Sequence, residues 1–132
     1  MSVLNYGTVL ATVADKDKNE ALPLIRRFYN LGFNIMATSG TAKFLKENGI
    51  RTRAVGKISE GSTDILDGIR QGYISYVINT KDIDSSNQNS DGTEIRKAAT
   101  ENNVNIFTAL DTVKVLLDVL EEITISVSTI DA

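Results

Sequence analysis

Five short apolar runs, each followed by a segment whose apolar residues recur at helical spacing, limit what this chain can fold into more than any other feature. The runs are Val9 to Val13, Phe33 to Ala37, Thr52 to Val55, Tyr73 to Asn79 and Asn105 to Thr108. After the first, Ala21, Ile25, Phe28 and Tyr29 share a helical stripe that Gly32 ends, with Pro23 tolerable only near the helix start. Thr41 to Asn48 is a short helix closed by Gly49. Ile65, Leu66 and Ile69 share a face behind a cap at Ser62 or Thr63, and Gly72 stops that helix. A helix capped at Asp91 or Thr93 runs through Ala99, and a last one, capped at Asp111, carries Val113, Leu116, Leu117 and Leu120 on one stripe. Parallel strands need connections that cross the sheet, so strands alternating with amphipathic helices predict a sheet covered on both faces. The expected fold is α/β, a three-layer α/β/α arrangement with a five-stranded parallel sheet. Residues 1–132 are read as a single domain with a core over about 7–121.

Two segments stand outside this alternation. Lys81 to Gly92 is polar and holds only one strong apolar residue, the signature of a mobile surface loop placed to close over a ligand. In the tail over 122–132, Ile123, Ile125 and Val127 alternate with Thr124, Ser126 and Ser128, which predicts a half-buried strand. Such a strand would fold back as an edge strand or pair with a second copy, giving a homo-oligomer.

Composition removes several functions. The chain has no cysteine, which excludes disulfides, thiol catalysis and thiolate metal sites, and no histidine, the commonest general base and transition-metal ligand. No metal site is expected. A net charge of −3 argues against a nucleic-acid-binding surface. No apolar run approaches a membrane span and the N-terminus lacks signal-peptide regions, so a cytoplasmic protein without a membrane partner is expected.

In an open parallel sheet, ligands bind beyond the carboxyl ends of the strands. Lys16 and Lys18 follow the first strand; Thr38, Ser39, Gly40 and Thr41 the second; Lys57 and Ser59 the third; Asn79, Thr80 and Lys81 the fourth. The turn from Thr38 to Thr41 opens a helix, where backbone N–H groups and the helix dipole favour an anion and glycine allows close approach. Lys18 and Lys57 can neutralise a phosphate, while Asn79 offers both donor and acceptor to a ribose or base edge. A phosphorylated small molecule fits this set.

Several segments resemble, in order and spacing, the methylglyoxal-synthase-like domain: Gly7 to Val13, Asp17-Lys18, Gly32-Phe33, Ala37 to Ala42, Val55 to Gly61 and Val77 to Thr80. Within that superfamily the chain is most similar to the C-terminal allosteric domain of the large subunit of carbamoyl phosphate synthase. The resemblance implies a nucleotide-effector module that binds UMP or IMP and is itself non-catalytic. Its effector positions fall on Thr12, Lys18, Thr38, Thr41, Lys57, Asn79 and Thr80. Where relatives often carry a further threonine, Lys81 adds a charge. The resemblance further implies an excised domain whose partner is the remainder of the synthase, with ATP and divalent metal bound only there. The enzyme alternative is methylglyoxal synthase, acting on dihydroxyacetone phosphate through an aspartate and an assisting histidine. Here Ser62 aligns with that aspartate.

Overall fold

The computed structural model describes residues 7–80 and 90–131, and the side chains at 59, 90, 91 and 125–131 fall outside that description. Five strands form one parallel sheet in the order β3-β2-β1-β4-β5. They are β1 (Thr8–Thr12), β2 (Asn34–Thr38), β3 (Thr52–Val55), β4 (Ile74–Asn79) and β5 (Asn105–Phe107). The helices between and after them are α1 (Lys18–Leu31), α2 (Ser39–Glu47), α3 (Asp64–Arg70), α4 (Ser90–Glu101) and α5 (Leu110–Asp131). Single turns of 3-10 helix follow β1 (Asp15–Asp17) and β3 (Ile58–Glu60).

Alternation along the central strand divides the core in two. Val9, Ala11 and Val13 point to one face, where Leu24, Ile25 and Phe28 of α1, Leu45 of α2 and Val113 and Leu117 of α5 cover them. Leu10 and Met36 point to the other, under Ile65 and Ile69 of α3 and Ile95 and Ala98 of α4. Every residue of β1 is buried, as a strand covered on both faces requires. The sandwich of three layers expected from the sequence is thus formed.

Local chemistry sets the helix ends. Gly32, at φ 111°, takes the left-handed conformation that stops α1, and its N–H donates to the carbonyls of Phe28 and Tyr29. Pro23 lies deeper in α1 than its chemistry suggests, in the second turn rather than the first. It is exposed there, so the intrahelical bond it cannot make is missing only on the solvent side. On the same face of the sheet Arg27 ties α1 to α5. Its Nε and Nη2 donate to Glu121 at 3.0 and 2.6 Å, and Nη2 also reaches Asp118 at 2.7 Å. The guanidinium holds the Glu121 carboxyl below its ordinary range.

The tail is a helix, not the strand expected over 122–132. Once the buried stripe of Val113, Leu117 and Leu120 has nucleated α5, each further residue adds a backbone bond, and neither glycine nor proline follows to stop it. Helical continuation outweighs β-branched alternation, and Ile123 is left 46% exposed. The loop expected over Lys81 to Gly92 lies outside the described residues up to 89. Among the described residues no helix is long and apolar enough to cross a membrane.

Candidate functional site

From β1 the chain steps outward through β2 to β3, then returns to place β4 on the other side of β1. The point where strand order reverses is therefore between β1 and β4, and a crevice outside their carboxyl ends is the expected ligand position. Thr12 and Asn79 are register partners at that point. The Thr12 hydroxyl donates to Asn79 Oδ1 at 2.8 Å, and both side chains are buried. With its oxygen held by Thr12, the Asn79 amide presents Nδ2 as a donor, and this buried atom has no partner among the described residues.

On the other side of β1, Thr38 occupies the N-cap position of α2 in an extended conformation, yet its side chain makes no capping bond. Its Oγ1 is also buried without a partner among the described residues. An ordinary cap would have satisfied an orphan N–H of the first turn, so this hydroxyl and those backbone donors remain available together. Ser39 and Gly40 are exposed in that turn. Lys18, at the start of α1, places Nζ 3.9 Å from where a Cβ on Gly40 would sit, and it pairs with Asp15 at 2.5 Å.

Two other threonines hold the rim together. The Thr41 hydroxyl accepts the Val13 N–H at 3.2 Å and faces the Val13 carbonyl at 3.5 Å, joining α2 to the end of β1. The Thr80 hydroxyl accepts the Ala14 N–H at 2.9 Å, while its own N–H donates to the Thr12 carbonyl at 3.1 Å. Thr12, Lys18, Thr38, Ser39, Gly40, Thr41, Asn79 and Thr80 thus line connected strand ends. Lys57 stands farther out, exposed after the outer strand β3, and Lys81 lies outside the described residues. Sequence reasoning passed over Thr108 and Asp111. With Lys16, Glu20 and Thr80 they line an open hollow of about 200 Å³ beyond β5, and the signal for them was the same strand-end position that singled out the others. Among the described residues no group of three or more Asp or Glu is placed to hold a metal ion.

The two buried unpartnered groups are an amide N–H donor and a threonine hydroxyl, and beside them stand the first turn of α2, whose N–H groups have no intrahelical partner, and Lys18 with its partner Asp15. Such a rim is complementary to an acceptor-rich anion. The family model for the MGS-like domain matches residues 20–108, more than half of the chain. This chain belongs to the MGS-like domain family. Two solved structures share the fold of this MGS-like domain. Methylglyoxal synthase from Elizabethkingia anophelis NUHP1 superposes with a TM-score of 0.69 at 19% identity, covering 84% of this chain and 76% of that one. ForH superposes with a TM-score of 0.63 at 19% identity, covering 89% of this chain and 81% of that one.

Proposed function

We infer that this MGS-like domain binds a phosphate-bearing nucleotide of the UMP or IMP kind at the carboxyl ends of β1, β2 and β4. In this reading it is the regulatory, non-catalytic module of a carbamoyl phosphate synthase large subunit, whose product feeds pyrimidine and arginine biosynthesis in the cytoplasm. The observation that carries it is the pair of buried, unpartnered atoms, Thr38 Oγ1 and Asn79 Nδ2. A buried polar group left unpaired costs about 1–3 kcal/mol, and a ligand offering acceptors to both relieves it. Their strands are separated by β1, which sets them about 10 Å apart by two inter-strand spacings. A phosphate on the α2 turn with a sugar or base reaching Asn79 matches that span. Lys18 supplies charge at the phosphate end, and Lys57 adds a more distant positive charge after β3.

Two features of the chain support binding without catalysis. The chain has no histidine. Ser62, aligned with the enzyme's aspartate, accepts the Asp64 N–H at 3.3 Å at the start of α3, and a serine hydroxyl is no base for removing a proton beside a carbonyl. The second reading, methylglyoxal synthase acting on dihydroxyacetone phosphate, is favoured by the fold shared with the Elizabethkingia enzyme. Calorimetric titration with UMP, IMP and inorganic phosphate tests the first. Saturable nucleotide binding, weakened at least tenfold (about 1.4 kcal/mol) by Asn79→Leu or Thr38→Val, is expected. Affinities unchanged in both variants would remove these residues from the site. Methylglyoxal formed from dihydroxyacetone phosphate would replace the regulatory reading with the enzymatic one.

A further inference from the structure

At the opposite end of the sheet, the amino ends of β1, β2 and β3 border a pocket of about 270 Å³. Its lining includes Arg51 and Arg53, the aromatic residues Tyr29 and Tyr73, and Asn34 and Met36. The arginines are two residues apart on an extended segment, so they lie on the same face. Thr52 between them is buried, and its hydroxyl donates to the Ile50 carbonyl at 3.0 Å, which fixes the direction of this segment. Register pairs Arg53 with Met36, at the edge of the pocket.

Arg26 and Arg27 have partners. Arg26 donates to the Asn48 carbonyl at 2.8 Å, and Arg27 holds Glu121 and Asp118. Arg51 and Arg53 are both exposed, and neither has a hydrogen bond or ion pair among the described residues. Like charges on one face repel each other unless an anion lies between them. Tyr29 is 36% exposed, Tyr73 is half-buried against the core, and Met36 lies buried beneath the pocket. A guanidinium pair suits a carboxylate or phosphate in bidentate geometry, and aromatic walls suit a flat organic body.

We propose that this basal pocket is a second ligand site, separate from the carboxyl-end rim, for a small planar anion: one ring bearing a phosphate or carboxylate. At about 270 Å³ the pocket falls below the range of roughly 300–1,000 Å³ typical of pockets for drug-sized ligands, which suits a single ring with its anionic group better than a whole nucleotide. The five residues of β1 separate the two sites by about 16 Å, so one small ligand does not fill both.

The test is an NMR titration of the isotopically labelled chain with phenyl phosphate and with benzoate, reading the Arg51 and Arg53 side-chain Nε–H signals and the Asn34 and Tyr73 amides. Saturable shifts at these positions are expected with both probes. The double variant R51Q/R53Q should weaken them at least tenfold, while shifts in the turn from Thr38 to Thr41 keep their half-saturation. R53Q alone should give a partial loss in the same direction and stands in if the double variant does not fold. Basal signals that stay still at saturating probe, or that saturate equally in R51Q/R53Q, overturn the proposal. Inorganic phosphate saturating them as readily as phenyl phosphate overturns the role of the rings. Neither result bears on nucleotide binding at Thr38 and Asn79, which is read from separate signals.

Discussion

At its carboxyl end β1 delivers Thr12 into a set of buried groups that bind one another, whereas around its amino end Arg51 and Arg53 of the β3 segment, Tyr29 of α1 and Tyr73 before β4 line an open pocket. The carboxyl end is organised before any ligand arrives: Thr12 holds Asn79, Thr41 holds Val13, and Thr80 holds Ala14. Its polar atoms have already lost water, so an acceptor that reaches them gains the interaction without a further desolvation penalty on the protein side. The amino end keeps its charges hydrated. Ligand binding there must order long side chains, and affinity depends on ionic strength. Two sites on the same strands therefore couple to stability differently: one is part of the core, the other rests on it.

Breaking the first is expected to have the largest effect. Thr12→Val removes the donor that faces Asn79 Oδ1 and leaves that buried oxygen unpaired. Chemical denaturation should show a loss of about 1–3 kcal/mol, with Thr12→Ser close to the parent. A loss below a few tenths would mean that the carboxyl end is no more integrated than the amino end. Gly40→Ala separates stability from binding. An added Cβ meets nothing closer than Lys18 Nζ at 3.9 Å, so helix propensity should raise stability by about 0.5–1 kcal/mol. The same methyl group covers the backbone that an anion would approach, and phosphate affinity measured by calorimetry should fall.

A smaller effect is expected at the Arg27 clamp. Arg27 depresses the Glu121 carboxyl from an ordinary value of 4.5, so its contribution is complete above that value and is lost as acid takes the pH down through the lowered folded-state value. Glu121 is 37% exposed, and screening limits the pair to about 0.2–1 kcal/mol. Denaturation of Glu121→Gln should show that deficit at neutral pH and a vanishing difference from the parent in acid. R51Q/R53Q should change stability least, within about 0.5 kcal/mol, because solvated side chains away from core contacts contribute little. A larger loss would show that the amino end carries packing as well as charge.

The sheet and its layers were legible because the signals are local. Val9 to Val13 and Phe33 to Ala37 are each apolar at four of five positions, and Gly32, Gly49 and Gly72 mark stops that the chain uses. The strand-end residues were legible as a set for the same reason. What each does was not. Thr38 and Thr41 read alike as parts of one anion-binding turn, yet the Thr38 hydroxyl is left buried without a partner among the described residues while that of Thr41 serves Val13. Those outcomes depend on partners far along the chain, which spacing does not encode. The tail failed for the opposite reason: a local alternation at Ile123, Ile125 and Val127 was outweighed by a helix already formed upstream.

The central place of β1 also orders the assembly of the molecule. Its first neighbour, β2, arrives after one helix, but its second, β4, comes from residues 74–79, and Thr12 meets Asn79 across 67 positions of chain. During synthesis, β1, β2 and β3 can pair while the far edge of β1 is still bare, a buried strand in the finished protein that is temporarily an open template. Closing that edge requires the long crossover through α3, the slow kind of contact to form. The residues that close it are the ones that build the crevice, so a chain stalled before β4 has neither a protected edge nor a complete binding site, and both are gained in one step.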